Sequence, residues 1–311
     1  MTEHPSPAVS RRTFLGACAA GVGATMIGCH GCAVGSRAPA QTSTAANGAA
    51  VAPLSPGLPL VDYHVHLDNS TIAAVAALGR ERGVKFGIVE HAGTPENAYP
   101  IVLSTDAQLN AYLAMLDGHG VYRGVQAEWT DWTSGFSRAA LARLDYVLMD
   151  AMTFPGRDGR RVKLWEKDAP ERVGLTDPRA FMDRFVAWHV DLIETQPIDI
   201  FGNFSWLPAP LAPDYDALWT PERMKRVAAA AARHGVAIEI SSSYQLPRLP
   251  FLRVCREAGL KFSFGSNGRY PNMGKLDYSL AMAGQLGLTA SDLFVPAPAG
   301  RKAVDRWKKP Q

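Results

Sequence analysis

The chain predicts an α/β fold whose parallel sheet closes into a barrel, and three observations carry that expectation. Short apolar runs rich in β-formers recur at 59–65, 84–89, 121–127, 144–151, 198–204, 236–240 and 260–265. Amphipathic stretches with helical spacing lie between them, at 70–82, 106–117, 177–195, 220–234, 248–258 and 275–287. Strand alternating with helix argues for a parallel sheet, and the sevenfold repetition argues that it closes. Finally, no glycine-rich turn follows the first strand, which weighs against the alternative, a doubly wound open sheet.

The punctuation agrees element by element. Asp177-Pro178 and Thr220-Pro221 read as N-caps followed by a proline in the first turn. Gly83, Gly235 and Gly259 follow helix ends, where a left-handed residue is wanted. The polar stretch 155–175, PGRDGRRVKLWEKDAPERVGL, reads as an inserted loop or hairpin. A length of 311 residues, 47% of them hydrophobic and 20% charged, suits a single α/β barrel.

The N-terminal residues read as an address. Ser10 to Gly16, SRRTFLG, resembles the twin-arginine export signal of bacteria. The apolar stretch behind it is shorter than the roughly 18 residues of a stable span. Two exits follow: MIGC resembles a lipoprotein box that would lipidate Cys29, and APAQ offers cleavage after Ala40. The organisation expected is an export signal over 1–40, a flexible Ala/Pro/Ser/Gly linker over 41–57, the barrel over 58–290 and a tail over 291–311. Partners are then the twin-arginine machinery and a small-molecule substrate, the location is the periplasm or the outer face of the envelope, and membrane contact is limited to the signal or a lipid anchor.

Charge and cysteine exclude other classes. The net charge is +3, but beyond residue 40 the chain holds 29 basic and 28 acidic residues, scattered, so nothing points to nucleic acid. Cys29-His30-Gly31-Cys32 has redox spacing without a βαβ unit around it, and Cys255 is alone in the domain, so no internal disulfide forms there.

The chemistry starts at LVDYHVHLD, residues 60–68. Alternate residues of a strand share a face, so Asp62, His64 and His66 should project together, with the imidazoles about 7 Å apart along the strand. Such a pair at a strand's C-terminal end can grip one cation, with Asp62 behind it fixing a histidine tautomer. Other strand ends supply Glu90 and His91, Glu128, and Asp150, all at the mouth where α/β barrels place their chemistry. Trp129, Trp132, Trp206 and Tyr244 gather there as a candidate substrate wall or as loop packing. His119, His189 and His234 fall in or after helices and read as structural or surface residues.

DYHVHLD, followed by VEHAG and GVQAEW, resembles the opening motifs of the PHP family, the polymerase and histidinol phosphatase domain. The resemblance implies a distorted (β/α)7 TIM-like barrel, up to three divalent metals and hydrolysis of phosphate esters. It places His64 and His66 in the first metal motif, His91 in the second and Glu128 as the bridging glutamate. Later motifs depart from the family: Met152 stands after strand four, Asn203 ends strand five, and SNGR puts Asn267 and Arg269 where aspartate and histidine are usual. Neutral amides and a guanidinium do not neutralise a metal cluster.

The expectation is therefore one divalent ion, zinc, manganese or iron, on His64, His66 and Glu128, with His91 completing the shell. Asp150 or His91 would be the general base for a metal-bound hydroxide. Arg269, Asn203, Asn267 and Trp129 would meet the substrate, Arg269 through a phosphate or carboxylate. The function expected is an exported metal-dependent hydrolase, with phosphoesters favoured by the resemblance. The alternative is a PHP-derived pseudoenzyme that binds a small ligand or partner in the envelope. A metal-dependent lyase on an amidohydrolase-like barrel is a third reading, at odds with Asn267 at the last strand.

Overall fold

The computed structural model describes residues 55–307 apart from Asn69. The export signal, Cys29, Ala40 and most of the linker lie outside the described residues. Seven parallel strands close a barrel: β1 (Val61–Val65), β2 (Lys85–Ala92), β3 (Tyr122–Ala127), β4 (Tyr146–Asp150), β5 (Ile200–Gly202), β6 (Ala237–Ser241) and β7 (Phe262–Gly265). Each pairs with the next, and β7 closes on β1 through Asp62 opposite Phe264. The helices outside it are α1 (Ile72–Arg82), α2 (Asp106–Leu116), α3 (Pro178–Thr195), α4 (Pro221–His234), α5 (Leu249–Glu257) and α6 (Asp277–Leu286). The seven strands and six helices read from the sequence are all present. Between β3 and β4 the helix is reduced to one turn, Arg138–Leu141.

The capping signals act as the residue chemistry requires. The Asp177 carboxylate accepts from the amides of Arg179 and Ala180 at the start of α3, and the Thr220 hydroxyl from that of Arg223 at α4. Gly83 and Gly235 close α1 and α4 with φ of 64° and 68°. The 155–175 insertion is a hairpin, Thr153–Pro155 against Arg161–Lys163, followed by the short helix Ala169–Arg172.

Strand periodicity sorts the barrel into layers. Val125, Val147, Met149, Ile238 and Ile240 face the helices in the main core, while their neighbours face the barrel axis. The lower interior is filled by Tyr63, Val89, Tyr146, Leu148, Ile200 and Ala237. Tyr146 fits there because Gly124 has no side chain: a β-carbon at Gly124 would lie 2.5 Å from the ring. Its hydroxyl donates to the Tyr63 carbonyl at 2.7 Å. The polar residues of the same faces, Gln126, Asp150 and Glu239, come one or two steps higher, toward the C-terminal mouth.

One irregularity resets the pattern in β1. Asp62 pairs with Phe86 but Val65 pairs with Ile88, so β1 takes one residue more than β2 between them. Tyr63 packs on Tyr146 from β4, with ring centroids 5.2 Å apart. His64 bonds to Gln126, whose amide in turn meets Asp150 of that same β4 face. Adjacent residues Tyr63 and His64 therefore both turn inward, where simple alternation had put them on opposite faces.

The segment after residue 291, expected as a tail, covers the barrel's lower end. Phe294 packs on Tyr63 with centroids 5.2 Å apart, and its carbonyl accepts the Tyr63 hydroxyl. The buried Lys302 ammonium donates to the carbonyls of Ala142 and Leu144. Asp199, just before β5, accepts from the amides of Val147 at 2.9 Å and Ala303 at 3.2 Å.

Burial raises the Asp199 carboxyl to about 6 against those bonds and the nearby Lys302 and Arg306 charges. The folded protein thus holds this proton more tightly than the unfolded chain. Asp199 consequently adds stability as the pH falls through about 6 toward the unfolded value near 4. Whatever fixed cost Asp199→Asn carries, its deficit against the wild type should widen by roughly 2.5 kcal/mol between pH 8 and pH 4, at about 1.4 kcal/mol per pKa unit. Urea unfolding of both proteins at the two pH values measures it.

Candidate active site at the barrel mouth

The mouth is a layer of buried polar side chains contributed by β1, β2, β3, β4, β5 and β6. His64 lies at its base, fully buried: Nδ1 is 2.7 Å from Glu239 Oε1 and Nε2 is 2.9 Å from Gln126 Oε1. The Gln126 amide donates to Glu128 Oε1 at 3.0 Å and to Asp150 Oδ2 at 3.3 Å. Asn203, left-handed with φ 50°, donates from its side chain to Asp150 at 2.9 Å and from its backbone to Glu239 Oε2 at 2.9 Å. Asp150 also accepts the Met152 amide, so both its oxygens are occupied by N–H donors.

Above His64 the rings stack. His64 and His66 have centroids 5.3 Å apart, His66 and His91 4.9 Å, and His91 lies flat on Tyr99 at 3.5 Å with an interplanar angle of 4°. His91 Nδ1 is 2.7 Å from Glu128 Oε1. The Lys163 ammonium, carried in by the hairpin, sits 3.6 Å over the other side of Tyr99. His66 is the anomaly: fully buried, with neither ring nitrogen in a hydrogen bond. An unsatisfied buried polar group costs about 1–3 kcal/mol, so a bound ligand that satisfied this ring would recover that cost.

Electrostatics follow the burial. Burial works to lower the pKa of His64, but the Glu239 carboxylate outweighs it and leaves the group raised. His66 is held well below the usual imidazole value, first by burial and then by Arg269 and the flanking imidazoles, so its ring is neutral. Asp150 is raised to about 6 by burial and by its neighbour Glu128. Burial lowers Lys163 and raises Tyr99.

The remaining expected residues take other places. Asp62 does not touch a histidine ring. Its carboxylate accepts the backbone amides of His64, Ser266 and Gly274 and the Ser266 hydroxyl, so it ties β1 to the loop after β7. The extra residue in β1 is the physical reason, since it separates the direction of Asp62 from that of His64. Arg269 stands at the rim, half-exposed, paired with Asp68 at 2.5 Å and donating to Asn267 Oδ1. The Asn267 amide lies 3.4 Å from the Tyr244 hydroxyl. Trp129 leans on Trp188 of α3, with the Arg161 guanidinium 5.7 Å from its ring. Trp132 and Trp206 are core residues, and His189 is sealed between α3 and the loop after β5.

Gln126, Glu239, Tyr99 and Lys163 were not singled out from the sequence. A signal existed for two of them: GVQAEW and VAIEI each carry a polar residue inside a buried strand, at an inward position. Two glycines make room for Glu239. A β-carbon at Gly265 would collide with its Oε1, and one at Gly202 would come within 3.0 Å of Oε2.

No protein-family model matches the chain, and no curated protein matches it. Among solved structures it is similar to a histidinol phosphate phosphatase from Lactococcus lactis, complexed with zinc, L-histidinol and phosphate. The identity is 12% over 74% of this chain and 92% of that one, with a TM-score of 0.43. It is also similar to the phospho-2-dehydro-3-deoxyheptonate aldolase of Thermotoga maritima, at 12% identity over 77% and 72% of the two chains, with a TM-score of 0.32. These likenesses are of barrel architecture and carry nothing about chemistry.

A catalytic metal needs about three lone pairs aimed at one point. Among the described residues no three His, Cys, Asp or Glu side chains are so disposed. His64 has both nitrogens engaged and Glu128 Oε1 serves His91 and Gln126, which leaves the His66 ring and the Nε2 lone pair of His91 open. In this arrangement, the expected ligand set of His64, His66, Glu128 and His91 does not fit a divalent ion.

The hairpin that carries Lys163 is clasped beside its turn. Arg161 pairs with Asp131 at 2.8 Å and Glu96 at 3.3 Å and donates to Asn97. Arg161→Ala should speed amide exchange and proteolysis across 155–163 by about three- to fivefold, while global unfolding shifts by less than about 1 kcal/mol, because the carboxylates of both ion pairs are exposed. Hydrogen exchange read segment by segment distinguishes this local release from a loss of the fold.

Proposed function

We propose that the mouth is the active site of an exported hydrolase acting on a small anionic ester, a phosphoester or a carboxylate ester. The supporting observation is the buried His91–Glu128 pair, 2.7 Å apart, beside the unpartnered His66. A carboxylate only accepts, so His91 carries its hydrogen on Nδ1 and offers the lone pair of Nε2 as a base. Water adds to the phosphoryl or acyl centre while its proton passes to Nε2. Glu128 balances the imidazolium, and the proton then goes to the departing alcohol oxygen. Lys163 and Arg269 supply positive charge for the substrate's anionic group, and His66 supplies a neutral ring for its polar edge.

A binding barrel without turnover is the second reading. It is favoured by one observation, the fully occupied oxygens of Asp150.

A panel of phosphate and carboxylate monoesters separates the two. Under the hydrolase reading, His91→Ala should lower kcat by about 10²–10⁴-fold, the usual worth of a positioned base, and Lys163→Ala should act mainly on KM. A ligand bound with no turnover of any ester rejects the enzyme.

Export through the twin-arginine route, with Cys29 lipidation or cleavage after Ala40, belongs to the same proposal. Replacing Arg11 and Arg12 together with lysine should retain a fused reporter in the cytoplasm, as measured by fractionation. Unchanged export would reject the route.

A further inference from the structure

The hydrogen bonds of Gln126 decide what His64 can do. An amide has one end that donates and one that accepts. Its nitrogen faces Glu128 Oε1 and Asp150 Oδ2, both carboxylate oxygens, at 3.0 and 3.3 Å. Reversing the amide would set its oxygen against those two oxygens, so the orientation is fixed by its surroundings. The amide oxygen therefore faces His64 Nε2, at 2.9 Å, and Nε2 must carry a hydrogen.

The other side of the ring is committed as well. Nδ1 lies 2.7 Å from Glu239 Oε1. Either it donates to the ionised carboxylate, or it accepts the proton of the neutral acid. Glu239 has nowhere else to go: its Oε2 accepts the Asn203 amide, and its carboxylate occupies space that a β-carbon at Gly265 would fill. In both protonation states of the pair, neither nitrogen of His64 keeps a lone pair for a metal.

We infer that Gln126 is the determinant that makes this barrel mouth a hydrogen-bonded site rather than a metal site, by committing His64 together with Glu239 and by bridging Glu128 to Asp150 with a neutral donor. The role is independent of the hydrolase reading. A carboxylate at 126 could not donate to Glu128 and Asp150. It would gather three acidic groups beside His66 and His91, and such a cluster recruits a divalent cation.

The test uses the full chain without a polyhistidine tag, titrated calorimetrically with zinc and with manganese. Elemental analysis is run in parallel, and thermal unfolding is followed with and without the ion. The wild type should hold no stoichiometric ion. Gln126→Glu should bind about one, at least tenfold more tightly than the wild type, and only its midpoint should rise with metal. The isosteric Gln126→Met, which frees His64 Nε2 without adding charge, provides the same test should Gln126→Glu not fold. A tight ion in the wild type, lost in His64→Ala, overturns the inference and leaves the hydrolase reading standing in a metal-dependent form. A wild type and variants that all bind nothing deny Gln126 its role.

Discussion

The site depends on one extra residue in β1. Without the register shift between Asp62 and Val65, Tyr63 and His64 would face opposite ways, and only one of the two interior layers could be completed from this strand. With it, Tyr63 fills the apolar floor beneath Tyr146 and His64 opens the polar layer immediately above. Asp62 is then free to gather the backbone amides of Ser266 and Gly274, which anchors the loop that brings Asn267 and Arg269 to the mouth. A bulge that re-aims a side chain beside a candidate active site is a recurring device in sheets. Here it serves two layers and a loop at once.

Much of the fold was legible because hydrophobic periodicity and caps are local signals. The seven β-rich runs, the Asp177-Pro178 and Thr220-Pro221 starts and the glycines after helices each follow from residues within a few positions of one another. At the mouth, the legible residues were those that end or follow predicted strands: His64, His66, His91, Glu128 and Asp150 all reach it. What failed was strictly non-local. The exclusion of Asp62 from the histidine rings comes from pairing with β2. The engagement of His64 comes from Glu239, 175 residues away. Lys163 arrives on a hairpin whose pattern read only as polar.

The balance of charge explains why the polar layer holds together. Glu128, Asp150 and Glu239 are nearly inaccessible, and burying three carboxylates unpaired would be prohibitive. Each is instead given donors: His91 and Gln126 for Glu128, three amide N–H groups for Asp150, His64 and the Asn203 backbone for Glu239. Gln126 and Asn203 are the connectors: the Gln126 amide donates to Glu128 and Asp150 and accepts from His64, while Asn203 donates to Asp150 from its side chain and to Glu239 from its backbone. Asn203, which reads in the sequence as a lost metal ligand, is thus one of the groups that stabilise the buried acidic layer.

That arrangement also explains which residues remain open for a ligand. The lower network is closed, with His64, Gln126, Asp150 and Glu239 holding one another. The upper stack is open: His66 lacks partners, His91 is held by Glu128 through Nδ1 alone, and Lys163 rests on an aromatic face rather than a carboxylate. A satisfied base supporting an unsatisfied upper tier is the division a functional site needs, because preorganisation requires rigid support beneath groups whose bonding is left to the substrate. Tyr99 lies at the boundary, flat between the His91 ring and the Lys163 ammonium. A ligand that reaches His91 from the hairpin side must displace or slide past that ring, so the hairpin and the turn it clasps set the size of what can bind.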